Sequence, residues 1–131
     1  MSLLDWLRRP ASRTLLTIAC AGYWVMSAVA THLPPDDMPD TDVNDKVLHL
    51  SGFFVLAGLF WLTLAAHRVR RPIRMLLVLI VLPLYGALDE ITQPLTGRTC
   101  DFYDWLADTT ATLAALAMWE MLAWSRRWLI S

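Results

Sequence analysis

Cysteine is scarce in this chain, with two in 131 residues, Cys20 midway along an apolar run and Cys100 in a polar loop. Pairing them would require one to leave its depth in the sequence pattern. A disulfide framework is therefore excluded, and with no CxxC spacing so are the usual redox and zinc motifs. Net charge is also scarce, −1 in total, because 11 Lys and Arg offset 12 Asp and Glu. The placement of the charges then says more than their sum. No internal repeat is visible. What the chain has in excess is apolar surface: 56% of residues are hydrophobic and seven are Trp. Soluble domains run at roughly 45–50%. This is the composition of a membrane protein.

Read in order, Met1 to Pro10 places Leu3, Leu4, Trp6 and Leu7 around Asp5 and ahead of Arg8 and Arg9. This predicts an amphipathic segment, about 1–13, lying among lipid headgroups. Thr14 to Ala30 is uncharged and, at about 17 residues, meets the lower limit for a span. It predicts a helix over about 14–31. A second reading is a signal peptide, with Ala28-Val29-Ala30 as a small-residue cleavage site, although the apolar stretch exceeds the usual h-region of about 7–15 residues. His32 to Asp45 is rich in Pro and Asp and predicts a solvated loop. Further apolar runs predict helices over about 46–67, 74–92 and 102–125, with Pro83 kinking the third. The expected architecture is all-α: a single membrane domain over 1–131, built as a four-transmembrane-helix bundle.

Lys and Arg in the short loops set the orientation. Arg8, Arg9, Arg13, Arg68, Arg70, Arg71, Arg74, Arg126 and Arg127 fall on one side, against Lys46 and Arg98 on the other. Both termini are expected in the cytoplasm. Apart from Asp5 and Glu120, the acidic residues gather at the outer end. Trp6, Trp124 and Trp128 would mark the inner interface, and Tyr103 and Trp105 the outer one. This topology already explains the basic residues, which are spread over three inner segments, so nucleic-acid binding has little support.

The same topology brings distant polar residues to one face. Asp45 and His49 lie four apart, with Lys46 beside them; Glu90 and Gln93 lie three apart, while Asp89 points elsewhere and is expected to be a bystander. Asp101, Asp104 and Asp108 form an i, i+3, i+7 stripe that continues as Ala111 and Ala115, small residues that let a neighbouring helix approach. Each has a structural reading beside a functional one. Asp101 suits an N-cap, with Asp104 as capping-box acid, and Asp45 suits the same role on its helix. Arg98 serves either as a clamp on these carboxylates or as an anion contact. His49 is either a hydrogen-bond partner of Glu90 or Asp108 or a proton carrier. Glu90 and Asp108 lie inside predicted spans, so they either join helices as paired carboxyls or act chemically.

Asp45-Lys46-x-x-His49, Glu90-x-x-Gln93 and Gly97-Arg98-x-x-Asp101-x-x-Asp104 together resemble the VanZ-like family, named for a membrane protein linked to teicoplanin resistance. The resemblance covers about residues 45–115. It implies a small helical protein of the bacterial cytoplasmic membrane, and a site made of Asp45, Lys46, His49, Glu90, Gln93, Arg98, Asp101 and Asp104. Asp108 stands where the family commonly has Asn, and Ala111 where it commonly has Gly.

Two functions follow as expectations. In the first, the outer pocket, extended by Asp108, binds a lipid headgroup or cell-wall precursor through Lys46 and Arg98 and lowers susceptibility to a glycopeptide. The alternative is an intramembrane enzyme acting on a lipid-linked substrate. There His49 and Glu90 would be acid and base, and Asp101, Asp104 and Asp108 would hold a divalent cation such as Mg²⁺ or Ca²⁺. No nucleophile or established metal motif accompanies them. A proton-coupled transporter is a third class, for which four short helices make a narrow conduit unless the chain forms a homodimer.

Overall fold

The computed structural model describes residues 3–7, 9–40 and 42–128, with side chains placed for 5–7, 9–40 and 42–125. Five α-helices account for nearly all of it: α1 (Leu3–Leu7), α2 (Pro10–Thr31), α3 (Asp45–Ala66), α4 (Arg71–Thr92) and α5 (Phe102–Trp128). Short 3₁₀ turns cover Pro35–Asp37 and Gln93–Thr96, and no strand occurs among the described residues. Arg8 and the side chains of Arg126, Arg127 and Trp128, used above for orientation, lie outside the described residues.

Local chemistry sets the boundaries. Pro10 fits the first turn of α2, so the helix starts there and not near Thr14, and the expected interfacial segment over 1–13 is divided between two helices. Leu7 of α1 is buried against Leu16 and Ala66, which docks α1 on α2 and α3. Asn44, and not Asp45, caps α3 by accepting the N–H of Lys46 at 2.9 Å. At the other end of α3, Arg68 takes the left-handed position (φ 60°), with Val69 N–H bonded to the Leu64 carbonyl at 3.0 Å in a Schellman-type stop. Gly97 (φ 81°) closes the 3₁₀ turn after α4 and starts the return to α5.

α3 packs against α2, α4 and α5, and α4 also packs against α5. The core of Leu56, Ala57, Trp61, Val78, Leu82, Ala115 and Leu116 joins α3, α4 and α5 at mid-length. α2 lies along α3, with Tyr23 Oη donating to the Gly52 carbonyl at 3.1 Å and Thr63 Oγ1 to the Leu16 carbonyl at 3.2 Å. The outer surface carries exposed Leu15, Ile18, Val25, Leu84, Ile91 and Met121, which water would penalise and hydrocarbon accommodates. α2, α3 and α4 are each long and apolar enough to cross a membrane. α5, read from sequence as a further span, is not among them over its described residues.

Candidate functional site

The polar site is assembled where α3 begins, α4 ends and α5 begins. Asp101 caps α5: its Oδ1 accepts the Tyr103 N–H at 2.8 Å. That bond, with Lys46 beside it, holds the Asp101 carboxyl below the usual carboxylate range. Its own backbone N–H goes to Glu90 Oε2 at 3.0 Å. The capping-box arrangement is therefore completed by a residue of α4 and not by Asp104, whose Oδ1 instead accepts from Lys46 Nζ at 3.3 Å. The same ammonium donates to Asp101 Oδ2 at 3.0 Å. Arg98 reaches across to Asp45 at 3.3 Å and to Met38 Sδ at 3.2 Å, so Asp45 serves as an ion-pair partner while Asn44 does the capping.

Beneath these pairs lies a buried set centred on His49. Its Nδ1 is 2.9 Å from Asp108 Oδ1, and its Nε2 is 3.8 Å from both Glu90 Oε1 and Asp104 Oδ2. With Asp108 ionised, Nδ1 carries the proton and the ring is fixed with Nε2 towards the other two carboxyls. Glu90 Oε1 also accepts from Gln93 Nε2 at 3.1 Å. Asp108 Oδ2 and Gln93 Oε1 are buried without a hydrogen-bond partner among the described residues. Asp108 fits between the helices because α4 has Gly86 opposite: a Cβ there would lie 3.2 Å from Asp108 Oδ2. Ala111 and Ala115 continue the stripe below Asp108, and both are buried, as the small-residue pattern requires.

Asp89 is no bystander. It is 2% exposed, its Oδ1 accepts from Thr31 Oγ1 at 2.8 Å, and its Oδ2 accepts from Gln93 Nε2 at 3.3 Å. His32 Nδ1 is 3.6 Å away and His32 Nε2 meets Thr92 Oγ1 at 2.8 Å, so this carboxylate ties the end of α2 to the end of α4. The spacing Tyr85, Asp89, Gln93 is the sequence signal for a second polar face of α4, beside the Gly86, Glu90, Gln93 face. Trp105, expected as an interfacial anchor, donates its Nε1 to the Pro83 carbonyl at 2.9 Å. Pro83 thus sits where α5 supplies a donor to α4.

Sequence reasoning also passed over a second set at the opposite end. Glu120 accepts from Trp61 Nε1 at 2.8 Å and from Arg71 Nε at 2.6 Å, and Arg74 Nη2 lies 3.6 Å away. The Arg74 guanidinium also stacks 4.4 Å over the Trp61 ring. An acid twelve residues beyond Asp108, in the apolar second half of α5, was the available sign.

Among the described residues, two groups have ligand atoms within 4.8 Å of one another: His49, Glu90 and Asp108, all buried, and Asp45, His49 and Asp104. The expected cation set of Asp101, Asp104 and Asp108 is not one of them, because Asp101 is turned to Lys46 and the Tyr103 N–H, and Asp108 to His49. The chain matches no protein-family model, no curated protein and no solved structure.

Proposed function

We propose that the chain is a VanZ-like protein of the bacterial cytoplasmic membrane, with four spans and both termini in the cytoplasm, whose outward-facing polar site binds an anionic lipid headgroup or cell-wall precursor and lowers susceptibility to a glycopeptide antibiotic. The observation that carries this reading is the convergence of three sequence-distant motifs: residues 45–49, 90–93 and 98–104 meet through Lys46–Asp101, Lys46–Asp104, Arg98–Asp45 and Glu90–Asp101 contacts. Lys46, exposed at the mouth, is the group a phosphate can reach by exchanging places with the Asp101 carboxylate; Arg98 is less open and stays with Asp45. The test is expression of the wild type and of Lys46→Gln in a susceptible strain, with membrane levels matched and glycopeptide susceptibility measured. Reduced susceptibility with the wild type and not with Lys46→Gln supports the reading; identical susceptibility of the wild type and an empty vector removes it.

A second reading, a metal-dependent enzyme acting on a lipid-linked substrate, is favoured by one observation. The site holds Asp45, Asp89, Glu90, Asp101, Asp104 and Asp108 against the cations Lys46 and Arg98, an excess that buried surroundings penalise unless protons or a cation offset it. His49, Glu90 and Asp108 are the residues that would hold a divalent ion, which would supply Lewis acidity towards a phosphoryl oxygen. Asp104, at the mouth side of His49, would then exchange protons with the substrate. Product formation from a lipid pyrophosphate in the presence of metal is the measurement that separates the two readings.

A further inference from the structure

At the end of the helices remote from the carboxylate site, the start of α2 and the end of α3 flank an open surface cavity of about 390 Å³ lined by Pro10, Arg13, Thr14, Thr17, Ile18 and His67, all but Arg13 exposed. We propose that this cavity binds the phosphate-bearing headgroup of an anionic phospholipid, with an acyl chain continuing along α2.

The lining brings together a guanidinium, two hydroxyls and an imidazole, with no carboxylate, and the guanidinium is the group a phosphate would pair with. Arg13 Nε is buried and makes no hydrogen bond among the described residues, and a buried donor left unpaired is costly. Thr17 Oγ1 donates its proton to the Arg13 carbonyl at 2.8 Å and lies 2.9 Å from His67 Nε2, so this pair joins the two walls, while Thr14 Oγ1 makes only a long bond of 3.3 Å to the Pro10 carbonyl and is readily redirected.

Electrostatics at the helix starts points the same way. α2 and α4 both begin at this end with an arginine, Arg9 and Arg70, in the cap position and no side-chain cap. Positive charge added to the positive pole of a helix is unfavourable. At α4 the chain offsets it internally, because Glu120 pairs with Arg71 and Arg74. At α2 no ion pair offsets Arg13 among the described residues. Besides Glu120, the acidic residue at this end is Asp5, which does not line the cavity. The missing negative charge is what a phosphate would bring. A lipid and not a free anion is indicated because Ile18 forms part of the lining and, like Leu15, is more than half exposed, so a headgroup in the cavity carries its chain onto an apolar stripe of a helix long enough to cross a membrane. The proposal is independent of the outer site and survives or fails without it.

The full chain, delipidated in detergent, is titrated with phosphatidylglycerol, phosphatidylcholine and inorganic phosphate, and bound lipid is read by native mass spectrometry beside the melting temperature. Phosphatidylglycerol is expected to be retained and to raise the melting temperature, while phosphatidylcholine and inorganic phosphate at the same concentration leave it unchanged. Arg13→Gln is expected to weaken phosphatidylglycerol binding about tenfold or more. Arg13→Lys, which keeps the charge and loses the planar fork, is expected to weaken it several-fold and serves if the glutamine variant does not fold. An equal shift with phosphatidylcholine, an equal shift with inorganic phosphate, or wild-type phosphatidylglycerol affinity in both variants overturns the proposal.

Discussion

Glu90 Oε2, near the end of α4, accepts the backbone N–H of Asp101, the residue that caps α5, at 3.0 Å. A side chain of one helix thus completes the start of the next, and the loop between them is held at both ends. Glu90→Ala leaves that N–H without its acceptor and Gln93 Nε2 with Asp89 alone, and is expected to cost about 1–3 kcal/mol. Glu90→Gln keeps an oxygen for Asp101 and should cost less. Thermal unfolding in detergent compares them; equal losses in the two variants would show that the cap contributes little.

Gly86 sits opposite Asp108, where an added Cβ would come within 3.2 Å of Oδ2 and 3.4 Å of both Asp108 Cβ and Phe53 Cε1. Asp108 is pinned by His49 and cannot retreat, so α4 and α5 would have to separate. Gly86→Ala is expected to destabilise by about 1–3 kcal/mol despite the better helix propensity of Ala. Gly22 is the internal control, because nothing lies within 4 Å of a Cβ there. Gly22→Ala should be neutral or stabilising by up to about 1 kcal/mol. A Gly86→Ala protein that melts with the wild type would contradict the close approach.

The pH dependence of stability has a definite sign at Asp101. Its folded-state pKa is held below the model-peptide value of 3.8 by the Tyr103 N–H and then by Lys46. The contribution is therefore present in full above about pH 4 and is lost as pH falls below that value through the folded-state pKa. Asp101→Asn keeps a capping oxygen but does not ionise, so the melting temperature of this variant should fall less steeply between pH 4 and pH 3 than that of the wild type. Parallel curves for the two proteins would assign the acid limb elsewhere.

At the opposite end Glu120 satisfies the Trp61 indole N–H and faces both Arg71 and Arg74. Glu120→Ala leaves a buried N–H and two cations without it. The expected loss is about 1–3 kcal/mol, discounted from the figure for fully buried pairs because the Arg71 side chain is 44% exposed. Glu120→Gln retains an acceptor for Trp61 and should recover part of that loss. The check is the same melting experiment, repeated at high salt, where the ion-pair share should shrink and the indole share should not.

Several of these relationships could be read before any coordinates. Apolar run length located all four long helices, since a chain this hydrophobic has few places to turn, and Asp101 declared itself a cap by type and position. The Asp104, Asp108, Ala111, Ala115 stripe faced inward as its small residues required. What failed did so where another partner, in two cases tertiary and in one the neighbouring residue, took the expected place. Asp104 was expected to close the capping box, but Glu90 reached the Asp101 N–H and left Asp104 to Lys46. Asp45 was expected to cap α3, but Asn44 stood one residue earlier. Asp89 looked superfluous because its partners, Thr31 and His32, lie on α2, and helical spacing along one chain segment does not say which neighbour a second face meets.

His49 provides the sharpest test of the carboxylate excess. Its Nδ1 is held by Asp108, and beyond its Nε2 stand Glu90 and Asp104 at 3.8 Å, outside hydrogen-bond reach. Either protons or a divalent ion must relieve that repulsion, and the two answers differ in what they respond to. If an ion is held by His49, Glu90 and Asp108, adding Zn²⁺ or Mn²⁺ to EDTA-treated protein stabilises it by about 2.7 kcal/mol at a hundred times the dissociation constant. His49→Gln then abolishes the response while Asp45→Asn, at the mouth, preserves it. If protons relieve the repulsion, the melting temperature is indifferent to metals and chelator, and His49→Gln changes its dependence on pH instead. A melting curve unchanged across Mg²⁺, Mn²⁺, Zn²⁺ and EDTA removes the metal-dependent reading and leaves the binding function as the one the site supports.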